Sequence, residues 1–116
     1  MIMNESVCEN SNPYFLTVPI NAEGIEDAKY MREETPNTHE FVIPPTEFEN
    51  MWNSGVFSKI NQEFGLLIDT YEDEEIPMKY CARCLDIVRS YGFQNSYFAT
   101  ALKEALNYGT SVICDF

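Results

Sequence analysis

Apolar side chains recur every three or four positions over two stretches near the end of the chain, which is the spacing of one face of an α-helix. The first stripe consists of Ile76, Tyr80, Cys84, Ile87, Val88 and Tyr91. The second consists of Phe98, Ala101, Leu102, Ala105 and Leu106. Because Gly92 and Gly109 follow these stripes and Asn95 or Ser96 precedes the second, we expect two capped helices.

The middle of the chain has the same spacing in two shorter pieces. Thr46 and Glu49 form the S/T-x-x-E pattern of a capping box and predict a helix that begins at Thr46. The stripe is interrupted at Ser54-Gly55, resumes, and ends at Gly65, which is typical of a C-terminal cap. The apolar run 66–68 is too short for a helix and predicts a strand.

Three further segments, residues 14–20, 40–43 and 111–116, are rich in β-branched and aromatic residues and predict strands. Pro19 cannot donate a ladder hydrogen bond, so that end of the first strand should lie at an edge. Residues 25–32 predict a short helix. We therefore expect an α+β fold, with one compact domain over residues 14–116 in which three or four short strands pack against about four helices. The polar residues 1–13 predict a flexible arm.

The charge balance of the chain narrows the class of partner. Nineteen acidic side chains against seven basic ones give a formal charge of −12. Such a field repels nucleic acid phosphates and anionic membranes and attracts basic proteins, so we expect neither nucleic acid nor membrane as a partner. High acidity also confers solubility by itself, and this alternative stays open.

The opening residues have neither the basic region nor the long apolar region of a secretory signal, so we expect a cytoplasmic protein. In a reducing compartment its four cysteines would remain thiols.

The acidic segment, residues 69–75, carries five carboxylates beside the apolar run 66–68. They belong to Asp69, Glu72, Asp73, Glu74 and Glu75. Carboxylates this close repel one another, so water, a helix N-terminus, a metal ion or a basic partner must relieve them. The last three could cap the helix expected near Ile76. Alternatively the segment binds a basic protein, with Tyr71 and Trp52 as aromatic anchors.

Metal and thiol chemistry have few candidate residues. Cys81 and Cys84 form a C-x-x-C, which can hold zinc or act in redox chemistry, but a zinc ribbon needs a second such pair or histidines. The pair also lies inside the predicted helix, which favours packing. The single histidine, His39, has no nucleophile motif to serve, so we expect a surface residue, no catalytic residues and no cofactor.

The stretch from Phe57 to Asn61, followed by the stretch from Gly65 to Ile76, resembles a pattern found in small acidic bacterial proteins. Some of those proteins resemble the immunity proteins that neutralise polymorphic toxins. The resemblance covers residues 46–90 and implies stoichiometric inhibition of a toxin, without catalytic residues. The arm and the C-x-x-C have no counterpart in that pattern.

Three hypotheses follow. The first is a non-enzymatic acidic binding protein that neutralises a basic partner, such as a toxin, by electrostatic complementarity. The second is a small metal- or thiol-dependent enzyme or sensor that uses Cys81, Cys84 and His39. The third is a structural or oligomerising module whose acidity only keeps it soluble.

Overall fold

A computed structural model describes residues 13–30, 32 and 35–116 of the chain. The strands in this part are β1 (Tyr14–Pro19), β2 (Thr38–Ile43), β3 (Glu74–Ile76) and β4 (Val112–Asp115). The helices are α1 (Ala22–Lys29), α2 (Pro45–Ser54), α3 (Val56–Phe64), α4 (Met78–Ser90) and α5 (Tyr97–Tyr108). The predicted arm, residues 1–13, lies outside the described residues except for Pro13.

The four strands form one antiparallel sheet in the order β2-β1-β4-β3. β1 is therefore an interior strand, paired with β2 along its whole length and with β4 from Phe15 to Thr17. Pro19 lies beyond the ladder with β4, so this end of the strand has a ladder partner only in β2, and its carbonyl accepts from the hydroxyl of Thr110 at 2.6 Å.

Alternation along the strands sends one set of side chains toward the helices and the other set to the opposite face. The buried set comprises Leu16, Val18, Ile43, Ile76, Val112 and Cys114. Helices α2 to α5 add their apolar stripes to the same core, which contains Met51, Phe57, Ile60, Val88, Phe98 and Leu102. The molecule is thus a single α+β domain with one core, and the predicted fold class is confirmed.

Several helix ends follow the predicted local chemistry. Gly65 and Gly109 end α3 and α5 with φ of 68° each, in the left-handed region that glycine enters without a steric penalty. The hydroxyl of Ser96 accepts a hydrogen bond from the amide of Ala99 at 3.1 Å and caps α5.

The predicted capping box at Thr46 is wrong. Helix α2 begins at Pro45, preceded by Pro44, and its N-terminus has no side-chain cap. A proline in the first turn removes one of the amides that a cap would satisfy. In this helix the carboxylate of Glu47 instead accepts from the backbone amide of Tyr97 at 3.0 Å, so it serves the N-terminus of another helix, α5.

Helix α1 lies earlier than the predicted residues 25–32. Its N-cap is Asn21, whose side chain accepts from the amide of Gly24 at 2.8 Å. The buried carboxylate of Asp27 accepts from Thr35 at 2.5 Å and binds the guanidinium of Arg32 at 2.9 Å, which ties both residues to α1. These contacts, with the Thr35 hydrogen bond first, lower the pKa of Asp27.

The predicted strand at residues 66–68 is wrong, because these residues have no ladder partner. Side chains satisfy their backbone instead. The amide group of Asn61 accepts from the N–H of Ile68 at 2.8 Å and donates to its carbonyl at 3.1 Å. The carboxylate of Glu74 accepts from the N–H of Leu67 at 2.8 Å. A side-chain amide here takes the place of a neighbouring strand.

The fourth strand is found a few residues later, inside the acidic segment. Glu74 to Ile76 form β3, and α4 begins only at Met78, after Pro77. The interpretation of the last three carboxylates as a cap for a helix beginning near Ile76 is therefore wrong. Glu74 and Glu75 are strand residues at the edge of the sheet, opposite Cys114 and Ile113 of β4.

Candidate functional site

A cavity of about 350 Å³ opens at the end of the sheet where β1 begins and β4 ends. We call it the acidic pocket. Its described lining consists of Pro13, Phe15, Thr70, Tyr71, Glu72, Asp73, Asp115 and Phe116. Three carboxylates thus face the same space as three aromatic rings, and no lysine or arginine is among the described lining residues.

The tip of the acidic segment is a turn that one of its own side chains stabilises. One carboxylate oxygen of Asp69 accepts from the amides of Tyr71 at 2.9 Å and of Glu72 at 3.3 Å, which folds residues 69–72 into an Asx turn. The turn is anchored at the buried Ile68. As a result the side chain of Tyr71 is 92% exposed at the mouth of the acidic pocket.

Two carboxylates of the segment are engaged inside the protein. Glu74 binds the amides of Leu67 and Glu75, at 2.8 and 2.9 Å. Glu75 accepts from the hydroxyl of Ser111 at 2.7 Å. With Asp69 in its turn, three of the five carboxylates therefore have internal donors, and neither Asp69, Glu74 nor Glu75 is among the residues that line the acidic pocket.

Asp73 has a different environment, because its neighbour across the sheet is another acid. Continuing the register of β3 and β4 by one residue beyond the Glu74 and Cys114 pair brings Asp73 opposite Asp115. Partial burial, followed by the hydrogen bond and the negative charge of Asp115, raises the pKa of Asp73. A cation placed between these two carboxyl groups would relieve that repulsion.

One wall of the acidic pocket belongs to an aromatic cluster in the core. The ring of Phe116 packs against Phe48 and Phe57, with centroids 4.9 and 5.4 Å apart. Phe48 in turn stacks on Tyr14 at 3.7 Å. These contacts pack the ring of Phe116 against residues of α2 and α3.

Trp52, the other predicted anchor, lies on α2 and is 42% exposed. Its ring contacts those of Phe48 and Phe57, with centroids 5.7 and 6.1 Å apart. These two residues separate it from Phe116, so Trp52 does not line the acidic pocket. The structure brings together Tyr71, Glu72 and Asp73 of the predicted set and places Trp52 apart.

The sequence did not indicate Phe15, Asp115 or Phe116 as site residues. Alternation along a strand separates Asp115 from Val112 and Cys114. What was missing was the strand order, because only the pairing of β4 with both β1 and β3 brings Asp115 to Phe15 and Asp73.

The C-x-x-C lies within α4, where both thiols are fully buried. Burial raises the pKa of Cys81 to about 11 and that of Cys84 to about 12. The thiol of Cys81 donates to the carbonyl of Pro77 at 3.4 Å. Thiols with these pKa values are protonated at neutral pH, which makes them poor nucleophiles.

His39 is exposed on β2, where its Nδ1 lies 2.6 Å from the carboxylate of Glu104 on α5. Its ring meets that of Tyr108 edge to face at 6.0 Å. Within residues 13–30, 32 and 35–116, no group of three or more His, Cys, Asp or Glu side chains is placed to hold a metal ion.

None of the described helices is long and apolar enough to cross a lipid bilayer. Comparison of the chain with protein-family models, curated proteins and solved structures gives no match. The resemblance to immunity proteins therefore stays a prediction.

Proposed function

We propose that this chain is a non-enzymatic acidic binding protein of the cytoplasm, and that it neutralises a basic partner protein in the manner of an immunity protein. The acidic pocket carries the proposal. A lysine or arginine side chain entering it would meet the carboxylates of Glu72, Asp73 and Asp115 and the rings of Tyr71 and Phe116. Carboxylates bind the cation directly, and aromatic faces attract it through their quadrupoles.

The internal hydrogen bonds divide the acidic segment into two roles. Asp69, Glu74 and Glu75 shape the turn and the edge strand, while Glu72 and Asp73 face the pocket. The partner-binding roles first predicted for Asp69, Glu74, Glu75 and Trp52 remain predictions. We propose that the first three act through the shared negative field, which speeds the encounter with a basic protein.

The second hypothesis, a metal- or thiol-dependent enzyme or sensor, gains no support from the surroundings of Cys81 and Cys84. The third, a module whose acidity serves only solubility, differs from our proposal in one measurable respect. It requires that neutralising the pocket carboxylates has no more effect on association than neutralising carboxylates elsewhere.

The test is a binding measurement with matched charge changes. A basic partner is first sought by capture at low salt from the native organism and among the products of neighbouring genes, and its affinity is then measured by calorimetry. The pocket variant combines Glu72→Gln, Asp73→Asn and Asp115→Asn. The control combines Glu23→Gln, Glu26→Gln and Glu49→Gln on exposed positions of α1 and α2, with the same change in net charge.

We expect the pocket variant to lose at least about tenfold in affinity and the control less than about threefold, because only the former removes direct contacts. Raising the salt from about 0.01 to about 0.15 M should weaken binding of the unmodified protein, since the Debye length falls from about 30 to about 8 Å. Equal losses in both variants would favour the solubility hypothesis, and failure to capture any basic partner would end the proposal.

A further inference from the structure

The face of the sheet that points away from the core is partly apolar. We call it the outer sheet face. By register it comprises Phe15, Thr17, Pro19, Thr38, Glu40, Val42, Glu75, Ile113 and Asp115. Pro19 is fully buried, and the other residues lie outside the buried core formed by the described residues. Phe15 and Ile113 are half-buried, and Val42 is 51% exposed.

The register places apolar and acidic residues of this face side by side on neighbouring strands. Phe15 lies between Val42 of β2 and Asp115 of β4. Thr17 lies between Glu40 and Ile113 in the next row. An antiparallel sheet with one face toward water usually alternates apolar and polar residues strictly, so Phe15, Val42 and Ile113 together make an unusual outward surface.

Charge is distributed unevenly between the strands and the helices. The four strands contain four carboxylates, Glu40, Glu74, Glu75 and Asp115, and no lysine or arginine. All seven basic residues lie on helices or, for Arg32, just after α1.

Four of the basic side chains are also paired with carboxylates of the helices. Arg32, Lys59, Arg83 and Arg89 each lie within ion-pair distance of a carboxylate on α1, α3 or α4. The sheet layer therefore presents the less compensated part of the negative field.

The outer sheet face is continuous with the acidic pocket, because Phe15 and Asp115 belong to both. A segment lying on Phe15, Val42 and Ile113 could thus also place a cationic side chain in the pocket. A second copy of this chain is a poor occupant, since it would bring its own charge of −12 to the same surface. Nucleic acid is repelled for the same reason.

We infer that the outer sheet face docks a basic protein segment in which apolar side chains alternate with arginine or lysine. The apolar side chains would cover Phe15, Val42 and Ile113, and the cations would reach Glu40, Asp115 and the acidic pocket. The inference rests on the proposed function and adds to it the place and the chemistry of the partner's contact. It implies that apolar contact on the sheet contributes to affinity alongside charge.

A peptide titration followed by amide NMR shifts tests the location. The probe is a synthetic peptide that alternates arginine with valine. A second peptide alternates arginine with serine, and a third alternates glutamine with valine. We expect saturable shifts at Phe15, Val42, Ile113 and Asp115 with the first peptide. The second should bind severalfold more weakly and the third should produce no saturable shifts.

Shifts concentrated on acidic positions of the helices, such as Glu23, Glu26 and Glu49, would overturn the inference. So would equal affinity for the arginine-valine and arginine-serine peptides, because apolar contact would then contribute nothing. The inference would also fail if the arginine-valine peptide produced no saturable shifts on the outer sheet face at low salt.

Variants separate the failure of this inference from the failure of the proposed function. Val42→Lys adds a positive charge at the most exposed apolar residue of the face, beside Phe15, and should reduce affinity for the basic partner at least about tenfold. Leu106→Lys is the matched control, since it changes a partly exposed aliphatic residue on α5 and adds the same charge. If the partner depends on the acidic pocket but binds the two lysine variants equally, the proposed function stands and the sheet-face inference fails.

Discussion

At the scale of single residues, Asp73 and Asp115 have the most consequence for function. In the sequence each is an ordinary acidic residue, and in the structure both are exposed. They become a pair only because β3 and β4 are adjacent. Like charges opposite each other across two strands destabilise a sheet. The pair therefore represents a local loss of stability within the acidic pocket that a bound cation would offset.

The Asp73 and Asp115 pair should make stability depend on pH in a recognisable direction. Because the folded protein raises the pKa of Asp73 above its ordinary value of 3.8, the folded state binds protons that the unfolded chain does not. Stability from this pair should therefore rise as the pH falls through the folded pKa toward 3.8. Asp27 and Glu63 act oppositely: their lowered pKa values give stability that is lost below 3.8 and 4.5.

We expect Asp115→Asn to stabilise the protein at neutral pH by about 0.2–1 kcal/mol, because it removes one of two like charges. The gain should shrink as the pH falls through the raised pKa of Asp73 toward 3.8, because Asp73 then takes up its proton. Urea unfolding at several pH values measures both effects, with the exposed Glu49→Gln as control. A variant less stable than the unmodified protein at neutral pH would contradict the repulsion between these carboxyl groups.

At the scale of elements, side chains decide several boundaries that apolar periodicity leaves open. Asn61 binds both backbone groups of Ile68 and so fixes residues 66–68 without a ladder.

Helix α1 depends on a close approach of its backbone at Gly24 to the backbone of Asn37 and Pro19. A Cβ built on Gly24 would lie 1.9 Å from the carbonyl oxygen of Asn37 and 3.3 Å from the Cα of Pro19.

Gly24→Ala should therefore destabilise the protein by about 1–3 kcal/mol, since the added methyl group must displace a backbone carbonyl from α1. Chemical unfolding measures this loss. Glu26→Ala, at an exposed position of the same helix, should change stability by less than about 0.5 kcal/mol. Equal effects of the two substitutions would mean that α1 does not pack tightly against Pro19 and Asn37.

At the scale of the whole molecule, one core and an uneven distribution of charge define the protein. The core includes the thiols of Cys81, Cys84 and Cys114, whose exposed fractions are 0%, 0% and 1%. Burial raises the pKa of each of these three thiols. The basic side chains lie on helices or, for Arg32, just after α1, which leaves the strands acidic.

Burial of the three thiols predicts their chemical reactivity. The Cys8→Ser variant leaves Cys81, Cys84 and Cys114 as its thiols. At about pH 8 these thiols should react with a thiol reagent at least about a thousandfold more slowly in the native protein than in the unfolded chain. The reason is that they react only when the core opens. Full denaturation should expose all three. Ser58→Cys on an exposed position of α3 should react at once and serves as a control. A fast thiol in the native Cys8→Ser protein would restore the redox hypothesis.

Local patterns were sufficient for most of the fold. The spacing of apolar residues located α2 to α5, and the glycines at 65 and 109 end helices as predicted. The errors fall where a contact distant in sequence competes with a local rule. Glu47 binds Tyr97, and Glu74 and Glu75 pair with β4 rather than cap a helix.

The sequence by itself determined the α+β class, the helix stripes, the excess of negative charge and the accumulation of carboxylates in residues 69–75. Those properties depend on residue type and short-range periodicity, which a chain carries before it folds. Only the tertiary structure decided which carboxylates have internal donors, that Asp115 and Phe15 join the acidic pocket, and that the sheet layer lacks basic residues. These follow from strand order and register, and both are set by packing between segments far apart in the chain.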